Sequence, residues 1–195
     1  MESKYLSRQL IESSILESYS FKSPSDININ TNKKNLEQHT ERYEEIFFHQ
    51  LKIAPSMFEG KRVLELGSGA GTLGVVLNNW GASGVGVDLN PKDINRANET
   101  AKKLGYHKNF RYICENILDY RSDELFDFVI CNGVMPHVGD VHKLIERIKA
   151  HTKKGGFVVI GTLELLGNIQ RLLHSRIVKL LSRIDSFEEK RDIAV

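Results

Sequence analysis

Three glycines alternate in Glu65-Leu66-Gly67-Ser68-Gly69-Ala70-Gly71, directly after the apolar run that starts at Val63. Glycine adopts positive φ without steric cost and lets a ligand approach the main chain where a Cβ would block it. A helix after such a turn adds unpaired N–H groups and a partial positive charge. Together these features suit a nucleotide-type ligand. Asp88 closes the next apolar run, Gly84-Val85-Gly86-Val87, 19 residues after Gly69. A carboxylate there can accept hydrogen bonds from both ribose hydroxyls. A helix cap or surface acid would look the same, and the glycine turn at this distance favours the ribose role. A dinucleotide site would carry G-x-G-x-x-G. Read from Gly67 that spacing fails at Thr72, although Gly69, Gly71 and Gly74 satisfy it in a shifted frame.

These residues need a scaffold, and the hydrophobic pattern supplies one. Strands are expected at Val63–Leu66, Gly84–Asp88, Phe110–Cys114, Phe126–Cys131 and Phe157–Gly161. Helices are expected at Thr72–Trp80, Pro91–Leu104 and Val141–His151. Strands alternating with helices imply parallel strands joined by right-handed crossovers. Their continuous apolar character implies cover on both faces. The expected fold is α/β: a Rossmann-like, doubly wound, mostly parallel sheet with helices on both faces. Earlier in the chain, residues 5–21 have a weak helical pattern, 22–35 read as a polar linker, and 36–52 read as a helix that Pro55 stops. On that helix Gln38, His39, Arg42 and Tyr43 either face a ligand or form a solvated face, and the pattern favours the solvated face.

Residues 168–184 form an amphipathic pattern with Ile169, Leu172, Leu173, Ile177, Leu180, Leu181 and Ile184 on one face. Packing on the sheet, on a partner domain or on a second copy is expected there, rather than lipid contact. The domain reading is an N-terminal helix and linker over 1–35, a binding domain over 36–164, and a helix and tail over 165–195. Residues after 164 contain no good strand.

With 27 basic and 25 acidic residues the net charge is +2, too small to imply nucleic acid or an anionic membrane as partner. No run reaches the ~18 apolar residues of a membrane span, and the N-terminus lacks a signal peptide's apolar stretch. Cys114 and Cys131 read as reduced core residues of a cytoplasmic protein. No Cys/His spacing suggests a metal site.

The segment Glu65-x-Gly67-x-Gly69-x-Gly71 resembles motif I of the class I S-adenosylmethionine-dependent methyltransferases. The resemblance continues through Val87-Asp88-Leu89-Asn90-Pro91, Glu115-Asn116-Ile117-Leu118-Asp119 and Phe126-Asp127-Phe128-Val129-Ile130, and ends near Lys153-Lys154-Gly155-Gly156-Phe157. It covers residues from about 60 to 164. It implies S-adenosylmethionine as cofactor. Glu65 would help hold the methionine ammonium. Gly67, Ser68, Gly69 and Gly71 would pass against methionine and ribose. Leu89 would pack on adenine, and Asn116 beside Ile117 would take the adenine amino group in place of the usual acid. Asn132 would line the floor. His137 would stand beside the methyl as the candidate general base. A fold of this class usually ends in an antiparallel hairpin, so that hairpin is expected to be missing or replaced, the chain being either a fragment or covered by another element. The motif Asn-Pro-Pro-Tyr is absent after the fourth strand, which favours a small-molecule acceptor over nucleic acid. The alternatives are a nicotinamide-dependent oxidoreductase, which Asp88 would also suit, and a non-catalytic nucleoside-binding domain.

Overall fold

A computed structural model describes residues 33–162, together with the helical positions Ser13, Leu16, Glu17 and Leu173. The helices expected over 5–21 and 168–184 otherwise lie outside the described residues, as does any terminal hairpin. The Cα arrangement separates Met1–Gly161 from Thr162–Val195, and the sheet with its helices belongs to the first unit.

The sheet is built from β1 (Arg62–Leu66), β2 (Ser83–Asp88), β3 (Phe110–Cys114), β4 (Phe126–Asn132) and β5 (Thr152–Gly161), in the order β3-β2-β1-β4-β5. Every pairing is parallel. The chain starts in the middle, winds out to β3, and returns to β4, so the direction of winding reverses between β1 and β4. Ligands bind outside the carboxyl ends of the strands at such a reversal.

Helices α1 (Lys33–Glu44), α2 (Thr72–Asn79) and α3 (Pro91–Lys103) are joined by α4 (Val141–His151). Side chains of β1 alternate between two cores. Val63 packs with Leu73, Val75 and Leu77 of α2 and with Ile94, Ala97 and Ala101 of α3. Leu64 and Leu66 pack with Leu144 and Ile148 of α4. No helix lies between β3 and β4. Ile117, Leu118 and Tyr120 from that connection fill the second core instead, with Tyr120 stacked on His151 at 5.2 Å.

Helix α1 begins at Lys33, inside the expected linker, and continues as a single π-helical stretch over Glu45–Gln50. The wide turn seats Phe47 against Phe58 (ring centroids 5.4 Å) and Trp80 (5.9 Å). Phe58 in turn meets Phe128 at 4.4 Å, which anchors this leading segment to β4. Strand β5 begins five residues before the expected Phe157. Its ladder passes from Phe126↔Thr152 to Phe128↔Phe157, so Lys153-Lys154-Gly155-Gly156 bulges out of register.

The cysteine expectation needs correcting at one residue. Cys131 is buried, whereas Cys114 is exposed at the end of β3. They lie three strands apart, about 14 Å at normal strand spacing, which is beyond disulfide reach.

Strand β2 carries glycine where neighbours crowd it. A Cβ on Gly84 would lie 2.1 Å from the Val63 carbonyl oxygen and 2.9 Å from the Phe110 ring. The first contact is backbone, so β1 and β2 would have to part. Gly84→Ala is expected to destabilise the fold by about 1–3 kcal/mol or more, read as a lower denaturant midpoint at unchanged slope.

Candidate functional site

Strand β1 delivers its last two residues to the reversal point. Leu66 points into the second core, and Glu65 points to the face covered by α1, α2 and α3. The chain then turns sharply. Gly67, Gly69 and Gly71 have φ of 84°, 50° and 76°, so all three glycines occupy the left-handed region. The Gly67 and Ser68 amides donate to the Val87 carbonyl at 2.7 and 3.1 Å, and the Gly71 amide donates to Ser68 O at 3.0 Å. Gly71 is the N-cap of α2 and offers no side-chain cap, leaving first-turn amides of that helix pointing into the turn.

Asp88 ties this turn to β2. Its Oδ2 accepts from the Gly69 amide at 2.8 Å and its Oδ1 from the Asn90 amide at 2.9 Å. Burial holds its pKa above the usual aspartate value, and the Asn90 and Gly69 amides offset only part of that rise. Each carboxylate oxygen keeps a lone pair for a further donor. Asn90 then caps α3 by accepting from the Lys92 amide at 3.0 Å.

Glu65 is buried, and its Oε2 has no hydrogen-bond partner. Burial, and then the charge of Asp88, push its pKa well above the usual carboxylate range. The Ser68 hydroxyl is likewise buried without a partner. Two orphaned polar groups beside a carboxylate with spare acceptor capacity fit a ligand that brings a cation, hydroxyls, or both. Among the described residues no group of three or more His, Cys, Asp or Glu is placed to hold a metal ion.

The other expected residues follow β2, β3 and β4 or lie on α1. Leu89 is half-buried just after Asp88. Asn116 uses its side-chain oxygen to accept from the Leu118 amide at 2.9 Å, closing a turn. Ile117 is buried in the second core. Asn132 is exposed and leans over β5, since a Cβ on Gly161 would lie 1.9 Å from its Oδ1. His137 is exposed in the short 3-10 turn Met135–His137 after β4. On α1, Gln38 and Arg42 are exposed while His39 is buried and Tyr43 half-buried. Burial, then Arg42, lowers the His39 pKa. Burial, then Glu65, raises that of Tyr43, which packs against the first core, so this face of α1 is solvated at Gln38 and Arg42 and buried at His39.

One contributor had no polar signal in the sequence. A Cβ on Gly67 would lie 2.0 Å from Cγ2 of Val134, which packs across the turn from the loop after β4. The glycines at the reversal point thus make room for protein as well as for ligand.

A doubly wound parallel sheet with a glycine turn, an acid ending β2 and a buried acid in β1 defines an α/β domain whose candidate site lies at the carboxyl ends of its strands. A profile described as a methyltransferase domain matches residues 57–189, and the chain belongs to that family. It is 34% identical over 104 residues to a ubiquinone biosynthesis O-methyltransferase of Paraburkholderia phymatum, covering 53% of this chain and 45% of the relative. It is 38% identical over 104 residues to one of Bradyrhizobium, covering 53% and 40%. The chain thus spans less than half the length of these curated relatives. Among solved structures it is similar to a SAM-dependent methyltransferase from Thiobacillus denitrificans in complex with S-adenosyl-L-homocysteine, with TM-score 0.51, 27% identity, and coverage of 68% of this chain and 56% of that one. A Pyrococcus horikoshii protein shares the fold at TM-score 0.64 and 22% identity, covering 80% and 71%.

The buried Glu65 carboxylate has a pH signature. Its folded-state pKa lies above the unfolded value, so the stability linked to it is present below about pH 4.5 and is lost as pH rises through the folded pKa. In ligand-free protein, Glu65→Gln is therefore expected to raise the melting temperature at pH 7–8 and to make no difference near pH 4.5. Melting curves of both proteins across that range test it, and a difference that stays constant with pH would rule it out.

Proposed function

We propose that this chain binds S-adenosylmethionine at the carboxyl ends of β1, β2 and β4 and transfers its methyl group to a small-molecule acceptor by direct displacement. The observation that carries the reading is the pair of buried, unpartnered groups, Glu65 Oε2 and Ser68 Oγ, beside the Asp88-anchored glycine turn of a methyltransferase-family domain. Asp88 would accept from the ribose hydroxyls with its remaining lone pairs. Glu65 would receive the ammonium of the methionine moiety, which would relieve the cost of its burial. Gly67, Ser68, Gly69 and Gly71 would line the methionine and ribose, Leu89 the adenine, and Asn116, Ile117 and Asn132 the remaining edge.

Bound S-adenosylmethionine supplies a methyl group already activated on a sulfonium. The protein's share is alignment, exclusion of water and, for a hydroxyl acceptor, removal of a proton. The names of the curated relatives favour an oxygen acceptor on a small molecule. His137 is the candidate base for that proton. We read residues 36–164 as the cofactor domain, and 1–35 and 165–195 as flanking segments, the latter a docking element for a partner domain or second copy. No helix among the described residues is long and apolar enough to cross a membrane. With two free thiols, a cytoplasmic setting is consistent.

Calorimetry with S-adenosylmethionine, S-adenosylhomocysteine and NAD tests the donor. Binding of the first two and not the third is expected, and binding of NAD alone would overturn the reading. Asp88→Ala is expected to weaken S-adenosylhomocysteine binding more than about tenfold, because hydrogen bonds to a charge contribute about 1.5–3 kcal/mol each. His137→Ala should leave that affinity unchanged while lowering turnover with a hydroxyl acceptor.

A further inference from the structure

Gly74 completes a G-x-G-x-x-G spacing in the sequence, yet it lies inside α2, one turn beyond the site, where glycine weakens a helix. Its reason is a single side chain from a distant strand. A Cβ on Gly74 would lie 2.1 Å from the hydroxyl oxygen of Tyr112. A Cβ on Gly71 would lie 2.8 Å from the same oxygen and from the ring carbon bearing it, and one on Gly86 would lie 2.5 Å from Cδ1. Three glycines, from the turn, from α2 and from β2, thus form one slot. Tyr112 of β3 reaches across β2 to fill it and is buried there.

The ring ends in a bond to the site. The Tyr112 hydroxyl donates to the Gly71 carbonyl at 3.3 Å, and the same carbonyl accepts the Val75 amide at 3.3 Å. In a planar trans peptide the C=O and the N–H of one unit point in opposite directions. Anchoring the Gly71 carbonyl from the core side therefore aims the Thr72 N–H back into the glycine turn.

We infer that Tyr112 is a positioning residue for the cofactor turn, its hydroxyl fixing the peptide that presents the first helical amide to the ligand. This rests on the proposal that the turn holds S-adenosylmethionine. It also gives Gly74 a role unrelated to a dinucleotide, namely clearance for the tyrosine.

The test uses Tyr112→Phe, Gly74→Ala and the double variant, measuring S-adenosylhomocysteine affinity by calorimetry well below each melting temperature. Tyr112→Phe keeps the ring and is expected to bind roughly three- to tenfold more weakly, the effect of one lost hydrogen bond. It should raise KM for S-adenosylmethionine at little change in kcat. Gly74→Ala should lower the melting temperature and weaken binding. Adding Tyr112→Phe to it should restore the melting temperature, because the nearest remaining atom is then the ring carbon at 3.2 Å. Unchanged affinity in Tyr112→Phe, or an unperturbed Gly74→Ala, would overturn the inference while leaving the functional proposal intact. Wild-type protein silent toward S-adenosylhomocysteine would instead overturn the functional proposal and this inference with it.

Discussion

The carboxylate of Asp88 accepts two main-chain amides, Gly69 at 2.8 Å and Asn90 at 2.9 Å, and the geometry at the top of the sheet depends on that bridge. One bond fixes the glycine turn to the end of β2. The other fixes the entry to α3, where Asn90 caps the helix and donates to Asp93 at 3.0 Å. A buried acid is destabilising unless hydrogen bonds favour its charged form. Here both bonds come from backbone, which cannot swing away, so they offset part of the cost of burial and the acid's remaining lone pairs keep a constant direction.

The fold was legible wherever the signal is local. The inner strands β1, β2 and β4, buried on both faces, read as short apolar runs, and α4 begins and ends at the residues its periodicity indicates. Strand β5 reads the same way in sequence, yet Phe157, Val158 and Ile160 are exposed at the sheet edge, so cover on both faces does not hold there. Glu65, the glycines and Asp88 were legible because turn chemistry acts over a few residues. Contributions that depend on the order of strands in space were not. Tyr112 stands 41 residues from the carbonyl it contacts and reads in sequence as one more β3 core residue. Val134 is an ordinary apolar loop residue until β4 is seen to lie beside β1. The π-helical stretch at Glu45–Gln50 had no local signal either, and its Phe47 meets partners, Phe58 and Trp80, that come from later elements.

The near-match to a dinucleotide fingerprint shows how one spacing can have two physical origins. In a dinucleotide-binding site the third glycine brings helix and strand together. Here Gly74 is small because a tyrosine hydroxyl from β3 occupies the space a methyl group would take. The frame that begins at Gly67 is the one whose amides bond to β2, through Val87 O, and the one that carries the acid two residues upstream. Spacing alone leaves the two frames comparable, and the neighbours of each glycine separate them.

Glu65 is held in the opposite way to Asp88. Its pairing partners in the ladder are Gly86 and Ile130, neither of which offers a side-chain donor, and burial with the nearby Asp88 charge both act against its ionisation. Burial raises the phenols of Tyr43 and Tyr112 and pushes the Cys131 thiol up to about 11, with smaller contributions that include Glu65 in each case. A residue chosen for stability at that position would be apolar, as Val63 is two residues earlier on the same face. An acid there fits the proposed role, in which a cationic ligand group would make the charged form the favourable one. Under that proposal the instability of the empty site and the affinity of the filled one would share a cause.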